Sequence, residues 1–148
     1  MDEWLRKYAR QNRRGDTAAT WVIADAQYRV TAYTTLSMTG IDRSASPKVL
    51  AKGTPTVIPA LLVGRLAVDR SVAGLGLGTQ LVKHVLATSA ELNLKAACRA
   101  VVVNALNDRA YSWWQRFGFI PFAPDDPANL DLYMLSRDIQ ATLETGSL

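Results

Sequence analysis

The chain has 148 residues, 49% of them apolar and 20% charged. That length suits one domain with a sizeable core, and that composition excludes disorder, collagen and a disulfide scaffold. The formal net charge of +4 divides unevenly: residues 1–120 hold 16 basic and 8 acidic side chains, a balance of +8, and residues 121–148 hold Arg137 against Asp125, Asp126, Asp131, Asp138 and Glu144, a balance of −4.

Residues 2–13 read as a helix, with Asp2 placed to cap it and Glu3 at the positive end of its dipole. Trp4, Leu5, Tyr8 and Ala9 share one face, Arg6, Lys7, Arg10, Arg13 and Arg14 fill the rest, and Gly15 stops the run. Thr17 to Ala24 and Arg29 to Ser37 are rich in β-branched and aromatic residues and read as strands joined by a turn at Asp25-Ala26-Gln27. Residues 38–56 show little periodicity and read as a long loop, a feature that is often functional. An apolar strand, Ala60 to Asp69, runs into a glycine-rich stretch and then a helix of about four turns with Leu77, Leu81, Val82, Val85 and Leu86 on one face. Cys98 to Asn104 is a buried strand, so strand, helix and strand form a parallel pair with a crossover helix. Asp108 to Gln115 reads as a short helix, Phe117 to Phe122 and Leu130 to Ser136 as strands, and Arg137 to Leu148 as a last helix. The fold class expected is α/β (α+β), a mixed sheet with flanking helices in one domain over residues 1–148.

Cys98 is the only cysteine, which excludes an internal disulfide and points to a reducing cytoplasm. No apolar run approaches the ~18 residues of a membrane helix, the first residues do not read as a signal peptide, and no His/Cys cluster suggests a metal.

The candidate for chemistry is the stretch Ala73-Gly74-Leu75-Gly76-Leu77-Gly78-Thr79, between an apolar strand and a helix. Glycines let backbone N–H groups turn into open space, and the first helical turn has unpaired donors, so a pyrophosphate suits this site. A plain tight turn is the alternative. A Walker loop is excluded because Thr79-Gln80 follows Gly78 where Lys-Ser/Thr is required, and a Rossmann turn because no acidic residue ends the next strand. Arg65 shares a strand face with Asp69 and could meet a polyanionic ligand or pair with Asp69 or a neighbour, and the basic first helix could face such a polyanion or solvent. His84 falls on the polar side of the long helix and reads as a surface residue. Trp4, Trp21, Tyr28 and Trp113 read as core or dimer contacts.

Leu66-Ala67-Val68-Asp69-Arg70 followed by Gly74-x-Gly76-x-Gly78 resembles the acetyl-CoA motif of the GNAT N-acetyltransferases. Asn107-x-x-Ala110-x-x-x-Trp114-x-x-x-Gly118-Phe119 resembles their second signature. Asp2-Glu3-Trp4-Leu5-Arg6-Lys7-Tyr8-Ala9, Val63-Gly64-Arg65-Leu66-Ala67-Val68-Asp69 and Arg116-Phe117-Gly118-Phe119 resemble the GNAT toxins of bacterial toxin–antitoxin pairs. The resemblance implies a single GNAT domain lacking the family's first strand, with a central splayed parallel pair. It implies acetyl-CoA as cofactor, held by Leu66, Ala67, Val68, residues 73–79, Asn104, Asn107, Ala110 and Trp114, with the Val68 backbone at the thioester carbonyl. It further implies acetylation of the α-amino group of aminoacyl-tRNA, a block of translation, a tRNA surface at Arg65, Arg6, Lys7, Arg10, Arg13 and Arg14, a homodimer and a ribbon-helix-helix antitoxin. Two residues depart from the family: Ala73 stands where Gln or Arg is usual, and Trp114 where a catalytic tyrosine is usual. Indole has one N–H and no proton to transfer at neutral pH. A GNAT acting on another amine, and a CoA- or antitoxin-binding protein with little catalysis, are the competing functions.

Overall fold

In the computed structural model, which describes residues 3–146, the chain opens with helix α1 (Glu3–Arg14). The Asp2 cap expected from the sequence lies outside the described residues. Glu3 and Lys7 pair across one turn at 2.7 Å, and the Gly15 N–H closes the helix on the Gln11 carbonyl at 3.0 Å. No residue of α1 is fully buried, so the helix rests on β1 through the half-buried Trp4, Leu5 and Ala9.

By its internal contacts the chain falls into two compact units, Met1–Ser37 with Val63–Val85 and Met38–Leu62 with Leu86–Leu148. The six strands are β1 (Ala19–Ala24), β2 (Val30–Asp42), β3 (Val57–Val68), β4 (Ala100–Asn104), β5 (Ile120–Pro121) and β6 (Asp131–Leu135). Their order in the sheet is β1-β2-β3-β4-β6-β5, and β3 and β4 form its parallel pair. The β1–β2 hairpin runs from Ala19 opposite Leu36 to Ala24 opposite Val30. Its turn is tied by Asp25, whose carboxylate accepts from the N–H groups of Gln27 and Arg29 and pairs with the Arg29 guanidinium.

The stretch expected to be a loop, 38–56, is largely ordered structure. Strand β2 continues to Asp42, whose carboxylate caps a 3-10 turn at Arg43–Ala45, and helix α2 (Lys48–Ala51) follows with Leu50 fully buried. The cause lies far away in sequence: Arg99 donates to the carbonyls of Leu50 at 3.1 Å and Val49 at 2.9 Å, satisfying a helix end that local residues leave open. The second unit's core joins Leu50, Ile58, Ala60, Ala100, Val102, Tyr133 and Leu135. Leu50, Ile58, Val102 and Leu135 each contribute roughly 1.5–3 kcal/mol on burial.

Helix α3 (Leu77–Lys95) buries Leu81, Val82, Val85 and Leu86, the face its spacing predicts, and at 19 residues it is longer than expected. Helix α4 (Asp108–Gln115) has the predicted bounds, because Asn107 caps it. The strand expected over Phe117 to Phe122 shrinks to Ile120–Pro121. Gly118 sits at φ +96°, and the N–H groups of Phe117 and Gly118 fold back onto Trp114 and Gln115 at 3.1 and 3.0 Å, so the first residues of that run form a turn. Helix α5 (Ser136–Thr145) ends at the left-handed Gly146, whose N–H donates to the Thr142 carbonyl.

Candidate active site

In the first unit, β3 delivers Arg65, Leu66, Ala67 and Val68 toward the glycine turn. The Thr34 hydroxyl donates to the Arg65 carbonyl at 2.8 Å, and the Asp69 N–H donates to the Thr31 carbonyl at 2.8 Å, so the strand end is pinned on both sides of residues 66–68. The Asp69 carboxylate accepts from the Ser71 N–H and hydroxyl at 3.0 and 2.9 Å, which holds its pKa below the usual range and caps a 3-10 turn at Arg70–Val72. Ala73 closes that turn on the Arg70 carbonyl.

Gly74 and Gly76 then take φ of +81° and +82°, the left-handed region that L side chains rarely adopt, and a Cβ built on either would meet nothing within 4 Å. Leu75, between them, is 69% exposed. The Gly76 carbonyl accepts the first helical bond, from Gln80, so Gly78 is not a turn residue but the second residue of α3. The N–H groups of Leu77, Gly78 and Thr79 are the first three of the helix and have no acceptor within it. The turn is an open cradle with amide donors at the positive end of a 19-residue helix, an arrangement that fits a pyrophosphate.

Arg65 does not pair with Asp69, whose carboxylate is held by Ser71. Its guanidinium lies 4.7 Å over the Trp4 ring, and Trp4 stacks nearly parallel to Tyr33 at 6.0 Å. Asp69 is engaged with Ser71, and among the described residues Arg65 forms no ion pair. An exposed cation is thus held by an aromatic face with its charge uncompensated. Arg6, Lys7, Arg10, Arg13 and Arg14 are all exposed on α1. Arg6, Arg10 and Arg13 share one face, while Lys7 is tied to Glu3. His84 is not a bare surface residue: its ring packs on Trp21 at 4.5 Å.

In the second unit, Asn104 ends β4 with an exposed side chain, opposite Asp131 of β6. Asn107 is spoken for, since its side-chain oxygen accepts from the Ala110 N–H at 2.9 Å. Trp114 is 4% exposed and meets Trp113 and Phe119 edge-on at 5.1 and 5.0 Å, the contacts of a packing residue. Tyr111, three residues earlier on α4, is half-buried and carries a phenol. Burial pushes the Cys98 thiol up, and its S–H donates to the Ala100 carbonyl. Among the described residues no group of three or more His, Cys, Asp or Glu could hold a metal, and no helix is long and apolar enough to cross a membrane.

A model of the acetyltransferase (GNAT) family matches residues 2–119 of the chain. A tRNA-acetylating toxin of Mycobacterium tuberculosis is 30% identical over 144 residues, covering 97% of this chain and 84% of the relative. The structure of AtaT complexed with acetyl-methionyl-tRNAfMet matches with a TM-score of 0.84 and 26% identity, over 95% of this chain and 84% of that one. A mutant AtaT toxin bound to the C-terminus of the antitoxin AtaR and acetyl-CoA matches with a TM-score of 0.79 and 25% identity, over 95% and 81%.

Proposed function

The chain belongs to the GNAT family of acetyltransferases, and from that membership we propose that residues 1–148 form one acetyl-CoA-dependent enzyme that acetylates the α-amino group of aminoacyl-tRNA. The similarity to a tRNA-acetylating toxin across 97% of the chain carries this reading. The open cradle at Gly74 and Gly76 supports the cofactor half, and the uncompensated Arg65 beside a basic α1 supports the tRNA half.

Acetyl-CoA supplies, when bound, an acetyl thioester whose C–S bond breaks as the amine nitrogen takes the acetyl carbon, the thiolate so released taking its proton from water. The N–H groups of Leu77, Gly78 and Thr79 receive its phosphates, and Ala73 and Leu75 flank them on the exposed turn. The pinned backbone of Leu66, Ala67 and Val68 would hold its arm, with the Val68 N–H as the donor available to the acetyl carbonyl oxygen. Asn104 and Ala110 border the arm, and Asn107 keeps the start of α4 fixed through its cap. Trp114 serves by packing. Arg65 and the α1 cations Arg6, Lys7, Arg10, Arg13 and Arg14 hold the RNA backbone.

The acceptor amine needs little help to lose its proton. A free α-amine has a reference pKa of about 7.7–8.0 against about 10.4 for lysine, so a useful fraction is neutral near pH 7 and water can take the second proton. Catalysis then rests on holding the two reactants in place. The same reading places the protein in the cytoplasm as a toxin that blocks translation, paired with a ribbon-helix-helix antitoxin and acting as a homodimer. The burial of Trp114 favours one second reading, a protein that binds acetyl-CoA but transfers acetyl poorly.

Cell-free translation should stop when the protein and acetyl-CoA are added together and continue when either is added alone. Arrest without acetyl-CoA, or none with both, would overturn the proposal.

A further inference from the structure

The second unit contains a cleft of about 320 Å³ that none of the roles above uses in full. Its apolar floor includes Leu62, Val102 and Phe122, and its polar lining includes Asn104, Asp42 and Asp131. It opens where β4 ends, since Asn104 is the last residue of that strand and faces Asp131 in register. Crevices at the carboxyl ends of parallel strands are common ligand sites in α/β sheets.

Size and charge narrow the ligand. A volume near the lower end of the ~300–1,000 Å³ range of small-molecule pockets suits a group of amino-acid size. The two carboxylates stand out in a chain whose first 120 residues are strongly basic. A phosphate or pyrophosphate would meet like charge there, and a purely apolar ligand would leave both carboxylates without use. An amine carried on an apolar group fits both halves of the lining. The site is firmly built. Asp42 takes the Ser44 N–H and hydroxyl at 2.9 and 2.7 Å on the same oxygen, Oδ1, which keeps it ionised and leaves Oδ2 its lone pairs. The Asp131 backbone is fixed by the Asn129 side chain at 2.9 Å and by Phe122, whose N–H donates to the Asp131 carbonyl at 2.9 Å.

We propose that this cleft seats the aminoacyl group of the acceptor, which docks as an ammonium on Asp131, Asp42 and Asn104 and then gives its proton to water, with its side chain on the floor of Leu62, Val102 and Phe122. The proposal rests on the acetyltransferase reading above and adds to it the part of the molecule that selects the acceptor. The acidic balance of residues 121–148 then has a use, through Asp131.

The test is direct binding, which needs no turnover. The probe is adenosine carrying phenylalanine through a 3′-amide, which cannot hydrolyse, titrated calorimetrically into the full chain. It should bind, while adenosine alone binds much more weakly. Asp131→Asn should weaken the probe about tenfold, the effect of losing one charge-assisted hydrogen bond. Leu62→Trp should fill the floor and exclude the phenylalanyl probe while the glycyl analogue is retained. Acetyl-CoA affinity, measured on the same variants, should stay within about twofold of the parent and so certify their fold. An unchanged probe affinity in both variants would overturn the proposal, and so would a loss of acetyl-CoA affinity in folded protein, which would assign the cleft to the cofactor. Failure of the tRNA reading looks different: the variants would still shift the probe, while charged tRNA stayed unmodified by the parent protein.

Discussion

Gly76 carries two demands at once. Its φ of +82° suits glycine, and the space above it must stay open for phosphate. A left-handed backbone costs an L residue roughly 1–2 kcal/mol, and a carboxylate there would add repulsion. Gly76→Glu should therefore raise the acetyl-CoA dissociation constant at least about a hundredfold by calorimetry, where each tenfold is ~1.4 kcal/mol. A dissociation constant equal to that of the parent would remove the glycine turn from the site. Trp114 poses the opposite case, a residue where the family usually has a tyrosine and which the structure surrounds with rings. Trp114→Ala should cost about 3–5 kcal/mol in denaturant unfolding, as aromatic truncations in cores do. Trp114→Phe should keep acetyl transfer within a few-fold. An inactive but folded Trp114→Phe would mean that the indole N–H takes part in the chemistry. Arg65 shows what a sequence leaves open at this scale. Its strand parity allowed an ion pair with Asp69 or a free cation, and the decision came from Trp4, some sixty positions away, and from Ser71, which claims the Asp69 carboxylate.

At the scale of elements, legibility followed the range of the interactions that define each one. Helices α1 and α4 could be bounded from sequence because their ends are set locally, by Gly15 and by the Asn107 side chain. Helix α2 could not, because the guanidinium that satisfies its carbonyls comes from Arg99. Strand β5 was overestimated because the positive φ of Gly118 is invisible to a count of β-branched and aromatic residues. The glycine turn was found, but its spacing suggested three equivalent glycines where the chain has two in the left-handed region and one in the helix. The cleft was missed because its lining comes from β2, β3, β4 and the segment before β6, which no linear motif joins. Helix α1 yields a prediction of its own. Its exposed cations gain most from RNA through counterion release, so binding of charged tRNA should weaken steeply with salt. Replacing Arg6, Arg10 and Arg13 together by Gln should flatten the slope of log K against log salt by about 2–3 and leave acetyl-CoA affinity unchanged. An unaltered slope would make the face merely solvated.

Over the whole molecule, the net charge of +4 conceals a basic body and an acidic end. The amides of the glycine turn can seat the cofactor phosphates with few side chains, so the cations of α1 and Arg65 are left for a larger polyanion. The carboxylates at the cleft suit an amine. The alternation of strand, helix and strand was enough to foresee the parallel pair β3–β4, because a crossover helix returns the chain to a parallel strand. The acceptor did not follow from periodicity, since an acetyltransferase fold serves many amines and the choice lies in surface charge and cleft lining. The measurement that bears most directly on this account is mass spectrometry of a pool of charged tRNA after incubation with the protein and isotopically labelled acetyl-CoA. The account predicts labelled acetyl on the α-amino group of aminoacyl-tRNA and none on deacylated tRNA. An unlabelled tRNA pool beside a labelled polyamine or protein N-terminus would contradict it.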